Sequence, residues 1–246
     1  TVVKQDSSHV DAYLQLGNII REENPLQAVK IHQSLTVRPG LSDQFNVELH
    51  KALAQDYSHA EKHTQAKREA EQLLRVDRRN LWALEFLLNI SEKERDWTKV
   101  GKLVKTIQKI RNIHNSNHLG TYQVYEGMDL LENGDRKGAQ SAFKKAIKLA
   151  PNLGLPYLRL GDLYAEERDL VKAIENWEQF AHLSSGESYR VYNKIESALF
   201  DLGRFSEVEN FYQRIIEKDP GNLEALTKLA NVLEEKGEVQ NALSMI

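Results

Sequence analysis

The chain repeats itself, and that constrains its fold more than any other feature. "YLRLGDLYAEERDLVKAIENWEQF" carries Tyr157, Leu160, Gly161, Tyr164, Ala173 and Trp177 at helical spacing around a polar break. "GMDLLENGDRKGAQSAFKKAIKLAP" does the same with Gly127, Gly134, Ala139, Phe143, Ala146 and Pro151. "YNKIESALFDLGRFSEVENFYQRIIEKDP" and "LTKLANVLEEKGEVQNALSMI" follow, and "YLQLGNIIREENPLQAVKIHQSL" opens the series. Taking Gly17, Ala54, Leu88, Gly127, Gly161, Glu196 and Ala230 as equivalent positions gives steps of 37, 34, 39, 34, 35 and 34 residues. Each copy holds apolar residues at i, i+3, i+4 and i+7, the mark of a helix face, on both sides of its break. The recurring unit is therefore a helical hairpin.

Elementary packing accounts for the recurring residues. Small side chains are needed where two antiparallel helices cross, as at Gly161 and Ala173. Large ones such as Tyr164 and Trp177 fill the space towards the next hairpin, so Trp97, Trp177 and the tyrosines are expected in the core. Gly134, Gly203 and Gly237 suit the turns, where a positive φ costs glycine little. Pro151 and Pro220 stop the second helices. A hairpin cannot bury its apolar face alone, so neighbouring copies must stack.

A period near 34 with this signature resembles the tetratricopeptide repeat. The resemblance implies an all-α, right-handed superhelical solenoid of stacked antiparallel helix pairs. One solenoid over residues 1–246 is expected, with about seven repeats at 9–41, 43–79, 80–113, 120–153, 154–187, 188–222 and 223–246. Helices are predicted at 9–22, 25–37, 43–58, 62–75, 80–93, 97–110, 121–132, 136–149, 155–166, 170–183, 188–201, 205–218, 222–235 and 239–246. Two irregularities stand out. The first copy lacks one residue in its turn, at Asn24-Pro25, and the 39-residue step contains the polar connector "IRNIHNSNHLG" from Ile110 to Gly120. The chain opens on Thr1, and "TVVKQDSSHVD" reads as the tail of an earlier repeat, so both ends are expected to be cut within a longer array.

Composition excludes several classes. With 41% hydrophobic and 28% charged residues the chain reads as ordered and water-soluble. A net charge of −3 gives no reason to expect nucleic acid. Zero cysteines exclude disulfides and thiolate chemistry within the chain and fit a reducing compartment. No phosphate-binding loop, H-E-x-x-H or G-x-S-x-G occurs, so no enzyme, catalytic residue or cofactor site is predicted. His59 and His63, like His114 and His118, are four apart, but neither pair has an evident third ligand, and both are read as solvated turns rather than a metal site.

Stacked hairpins commonly bind through the face made by the first helix of each copy. The repeat register places Leu14, Asn18, Lys51, Gln55, Glu85, Asn89, Val124, Met128, Leu131, Leu155, Leu158, Asp162, Asn193, Ser197, Thr227 and Asn231 there. Asn and Gln suit an extended peptide backbone. Val124, Met128, Leu131, Leu155 and Leu158 suit an apolar segment, unless the winding of the helices simply buries them. Met128 and Leu158 in particular are expected to be neighbours, partly exposed. Repeat proteins that hold acidic chaperone tails resemble one another in a Lys/Asn/Arg clamp. Here Asn18 occupies the Asn place but Leu14 replaces the Lys, so that clamp is not expected. A lysine stripe, Lys99, Lys102, Lys105, Lys109 and Arg111, is either a solvated face or a surface for anionic lipid or an acidic partner. Residues 157–246 hold 17 acidic against 10 basic side chains.

"VDAYLQLGNIIREENPLQAVKIHQSL" (Val10 to Leu35) resembles the matching segment of the lipopolysaccharide assembly protein B family. The run G-N-[IL]-[IF]-R followed by A-[VI]-[KR]-I-H-Q-[ST]-L is more specific than the generic repeat. The likeness continues through "LLNISEKERDWTKV" to "YEGMDLLENGD" and then thins. It implies a cytoplasmic adaptor tethered to the inner membrane by an N-terminal helix. It also implies a C-terminal zinc domain outside this chain, and partners in a membrane AAA+ protease and the deacetylase of the lipid A pathway. No groove residue is carried over by it. The other reading is a general repeat scaffold for another assembly, such as a secretion, pilus or chaperone complex.

Overall fold

The computed structural model describes residues 9–243. Most of the expected tail of an earlier repeat, and the end of the last helix, lie outside them. Fourteen α-helices and a single 3-10 turn make up the described residues, with no strand among them. In chain order they are α1 Val10–Ile20, α2 Pro25–Thr36, α3 Asp43–His59, α4 His63–Val76, α5 Leu81–Lys93, α6 Trp97–Arg111 and α7 Ser116–Glu132. Then come α8 Arg136–Leu149, α9 Leu155–Glu166, α10 Leu170–Leu183, α11 Tyr189–Asp201, α12 Phe205–Lys218, α13 Leu223–Glu235 and α14 Val239–Leu243. They pair as seven consecutive hairpins. The chain packs as two compact units, residues 1–114 and 115–246. Within each unit every helix packs on the next one in sequence, and first helices also touch across neighbouring hairpins, as α1 touches α3 and α7 touches α9. No described helix is long and apolar enough to cross a membrane.

One turn geometry recurs. The residue entering the second helix returns its N–H to a carbonyl in the last turn of the first: Lys62 to Tyr57 at 2.8 Å, Asp96 to Ser91 at 2.9 Å and Asp135 to Leu130 at 2.8 Å. Asp169 to Tyr164, Arg204 to Leu199 and Glu238 to Leu233 repeat it. This satisfies carbonyls that a helix end leaves orphaned, and it requires a left-handed residue just before the returning N–H. Those residues are Glu61, Arg95, Gly134, Arg168, Gly203 and Gly237, all with φ between 57° and 83°. The first hairpin is the exception. Asn24 returns its N–H only to Ile20, at 2.8 Å, and the left-handed residue is missing. Side-chain caps then start four of the second helices: Asn24 accepts from the Gln27 N–H, Asp96 from Lys99, Asp135 from Gly138 and Asp169 from Lys172.

The core follows the expected pattern in part. Trp177, Tyr57, Tyr164, Tyr192 and Tyr212 are buried, whereas Trp97 is half-buried and Tyr125 and Tyr189 are exposed. The connector after α6 is much shorter than predicted. Asn112 ends α6 in the left-handed region, and Asn115 caps a new helix by accepting from the His118 N–H. Helix α7 thus starts at Ser116 rather than 121. The polar Asn-rich run was a helix cap, which composition alone reads as loop.

Candidate partner-binding face

In unit 1 the site begins with a glycine. A Cβ at Gly17 on α1 would come within 2.3 Å of the His32 imidazole on α2, so only glycine lets this ring reach the helix crossing. His32 is fully buried, and its Nε2–H donates to the Leu14 carbonyl at 3.0 Å. Its Nδ1 lies 2.5 Å from Oδ2 of Asp56 on α3, also fully buried. The other oxygen of Asp56 accepts from Arg21 Nε at 2.6 Å. The same guanidinium donates to Asn18 Oδ1 at 2.6 Å and reaches the Ala52 carbonyl at 3.4 Å. Burying a charge is tolerable only with partners, and here each one has them. The network pins α1, α2 and α3 together and fixes Asn18.

Above it lies a cleft of about 300 Å³ lined by Leu14, Gln15, Asn18, Arg21, Glu48, Lys51, Ala52 and Gln55. Four of these, Leu14, Asn18, Lys51 and Gln55, belong to the face read from the repeat register. Lys51 stands 5.5 Å from the centre of the Trp82 ring, with Glu48 at 3.9 Å. Leu14 is core, its side chain buried beneath the cleft. Glu85 takes Arg111 in an ion pair, and Asn89 is exposed on α5.

In unit 2 the corresponding face is a ladder of acids and lysines. Asp162 on α9 accepts from the Trp177 indole N–H at 3.1 Å and from Lys194 on α11 at 2.5 Å. Glu196 on α11 accepts from the Tyr212 hydroxyl at 2.9 Å and from Lys228 on α13 at 3.2 Å. Each carboxylate thus joins its own hairpin to the next. Burial first, then the Glu196 charge, pushes the Tyr212 phenol well above its ordinary range, so it stays a donor. Asn193, Ser197, Thr227 and Asn231 are exposed beside this ladder.

The apolar stretch comes out differently. Val124 is fully buried and Leu158 only 2% exposed, both inside the core of unit 2. The expectation of a partly exposed Leu158 beside Met128 is therefore corrected: Leu158 points into the hairpin stack. Met128, Leu131 and Leu155 are half-buried and pack against that core. The register rule failed at these positions because Val124 and Leu158 belong to the buried core of unit 2 and not to its outward face. Sequence reasoning missed Arg21, His32, Asp56, Lys194, Glu196 and Lys228. The G-N-x-x-R and I-H-Q runs contained the signal for the first two, since a histidine facing a glycine one hairpin leg away invites a polar crossing.

His59, His63, His114 and His118 are exposed. His59 Nδ1–H donates to the Gln55 carbonyl at 2.9 Å, and His118 Nε2 lies 3.1 Å from the Tyr122 hydroxyl. Among the described residues no three His, Asp or Glu side chains gather closely enough to hold a metal ion. In the lysine stripe, Lys99 pairs with Glu71 at 3.2 Å and Arg111 with Glu85, while Lys102, Lys105 and Lys109 are exposed.

Models of the tetratricopeptide repeat match residues 126–182 and 211–244. Lipopolysaccharide assembly protein B of Escherichia coli K12 is 22% identical over 236 residues, 96% of this chain and 60% of the relative. Its counterpart from Haemophilus influenzae Rd is 25% identical over 239 residues, 94% of this chain and 58% of its own length. The chain thus spans about three-fifths of the curated relatives it matches. Among solved structures, that of Naa15/Naa10 bound to HypK-THB aligns with 95% of this chain and 35% of its own, at a TM-score of 0.53 and 15% identity. That likeness bears on the fold alone. Residues 126–182 and 211–244 thus match tetratricopeptide-repeat models, and the chain is a series of helical hairpins similar along nearly all of its length to lipopolysaccharide assembly protein B.

Proposed function

We propose that this chain is the repeat region of a regulator of lipopolysaccharide assembly, a non-catalytic adaptor that holds a protein segment on its first-helix face. The similarity to lipopolysaccharide assembly protein B over 96% of the chain carries the reading. The cleft of unit 1 supplies a plausible chemistry. Asn18, Gln15 and Gln55 offer amides to an extended backbone, and Lys51 and Glu48 offer charges of both signs at its rim. In unit 2 Met128, Leu131 and Leu155 offer partly exposed apolar surface, and Asp162, Asn193, Ser197 and Asn231 offer polar groups. The partners are a membrane AAA+ protease and the deacetylase of the lipid A pathway, and the working compartment is the cytoplasm, at the inner membrane.

The full-length protein, used as affinity bait in cells that make both enzymes, should retain both. Replacing Lys51 and Gln55 together with Glu should reduce recovery at least about tenfold, a loss of about 1.4 kcal/mol, since it reverses the charge at the rim and removes one amide of the cleft. The helical signal should stay intact. Recovery of neither enzyme by the unaltered protein would sink the proposal.

A further inference from the structure

A second cleft opens in unit 2, away from the first-helix face, between the second helices α10 and α12. Two rungs bridge these helices one turn apart. Arg214 Nη2 donates to Glu178 at 2.7 Å, and Lys218 Nζ donates to His182 Nδ1 at 2.8 Å. Beside the rungs is a space of about 230 Å³, reached also by Ser185, Ser188 and Asn222. Its floor is apolar: Phe211, only 2% exposed, with Ala181 and Ile215.

The two rungs differ in charge. Glu178 neutralises Arg214. At the second rung an imidazole nitrogen stands where a carboxylate would, and no carboxylate among the described residues pairs with Lys218. Asp219, the other acid of the lining, accepts from Asn222 Nδ2 at 3.3 Å. The ammonium has three donors and spends one on His182. An apolar floor beside a cation that no carboxylate contacts fits a group that is aliphatic at one point and anionic at the next. The space is smaller than the roughly 300–1,000 Å³ typical of small-molecule sites, so both features must sit on one residue. A chain end meets that requirement, because its last residue carries a side chain and a carboxylate on the same Cα.

We propose that this cleft captures the C-terminal aliphatic residue of a partner protein, with its carboxylate on Lys218 and its side chain against Phe211 and Ile215. The site is separate from the first-helix face and stands or falls independently of the adaptor reading.

N-acetyl-L-leucine and N-acetyl-L-leucinamide serve as probes, titrated into the isotope-labelled chain while amide resonances are followed by NMR. The acid should shift Ala181, Ser188, Phe211, Ile215 and Asn222. The amide should bind about fivefold more weakly, the scale of one exposed ion pair. Lys218→Met should lower the acid to the level of the amide, and Lys218→Arg should retain most of the difference. Circular dichroism should show both variants equally helical. Equal affinity for acid and amide, shifts scattered over the surface, or an unchanged response in Lys218→Met would each overturn the proposal.

Discussion

The first and fifth hairpins solve one packing problem with opposite chemistry. In each, a glycine on the first helix faces a large ring from the second: Gly17 faces His32, and Gly161 faces Trp177, whose Cδ1 a Cβ would approach to 2.4 Å. Trp177 fills its crossing with hydrocarbon and keeps its one polar atom for Asp162 at the rim. His32 puts two ring nitrogens into a crossing of the same size and must be satisfied there by Leu14, Asp56 and, through Asp56, Arg21. The turn explains part of the difference. His32 comes fifteen residues after its glycine and Trp177 sixteen, because the first turn omits the left-handed residue. A glycine-lined crossing thus tolerates either a greasy ring or a hydrogen-bonded polar triad, provided every buried polar atom has a partner.

Breaking the triad at its centre should have the largest effect. Asp56→Ala leaves Arg21 and His32 without their shared acceptor, and removing one partner of a buried ion pair costs about 3–5 kcal/mol. Hydrogen exchange followed in both units should show the loss in residues 10–111 and leave 116–243 unchanged. A loss below about 1 kcal/mol would mean that water replaces the carboxylate. Removing all three polar side chains together, as Arg21→Met, His32→Leu and Asp56→Leu, should restore most of that stability, since apolar groups of similar volume often replace a buried triad at no cost. If the triple variant is as weak as Asp56→Ala, the network holds the hairpins through geometry that hydrocarbon cannot copy.

The contrast also marks what was legible in the residues. Hairpin number and type were readable, because a period of 34 is a property of the chain and survives without coordinates. Most helix ends were readable from Gly134, Gly203, Gly237 and Pro220, whose backbone limits are local. The triad was not, since Asp56 reads as one more polar position on α3 and meets His32 across twenty-four residues. Leu158 failed for a similar reason: it lies in a core shared by several hairpins, which register within one repeat does not contain. The turns at Glu61, Arg95 and Arg168 were placed by the helix pattern on either side, but their left-handed backbone was not readable, because nothing in those side chains announces it.

Substituting the crossing glycines sharpens the comparison at the next scale. Gly161→Ala and Gly17→Ala both place a methyl within 2.5 Å of ring atoms, and overpacking of this kind costs about 1–3 kcal/mol. Gly17→Ala should cost more, because His32 is held on both nitrogens and cannot move aside without losing a bond. Gly101→Ala on α6 is the control. Nothing lies within 4 Å of its Cβ, so it should stabilise by about 0.5–1 kcal/mol through helix propensity. Denaturant midpoints of the three variants give the ranking, and a Gly161 loss larger than that at Gly17 would reverse the argument about rigidity.

The smallest effect is at the turns, where hairpins four to seven differ by one residue in an otherwise shared geometry. Arg168 has a φ of 64° and Gly134 one of 81°, and both precede the same returning N–H. A left-handed backbone costs a residue with a Cβ about 1–2 kcal/mol, while glycine loses about 0.5–1 kcal/mol more conformational freedom on folding. Arg168→Gly should therefore stabilise unit 2 by about 0.5 kcal/mol, and Gly203→Arg should destabilise it by a similar amount. The two changes are mirror images at equivalent positions, so their effects should nearly cancel in the double variant. A thermal melt of a degree or two in each direction is the expected reading. If Arg168→Gly instead lowers stability, the arginine makes a contact that outweighs its backbone strain, and the tolerance of Glu61 and Arg95 for the same conformation would have the same source.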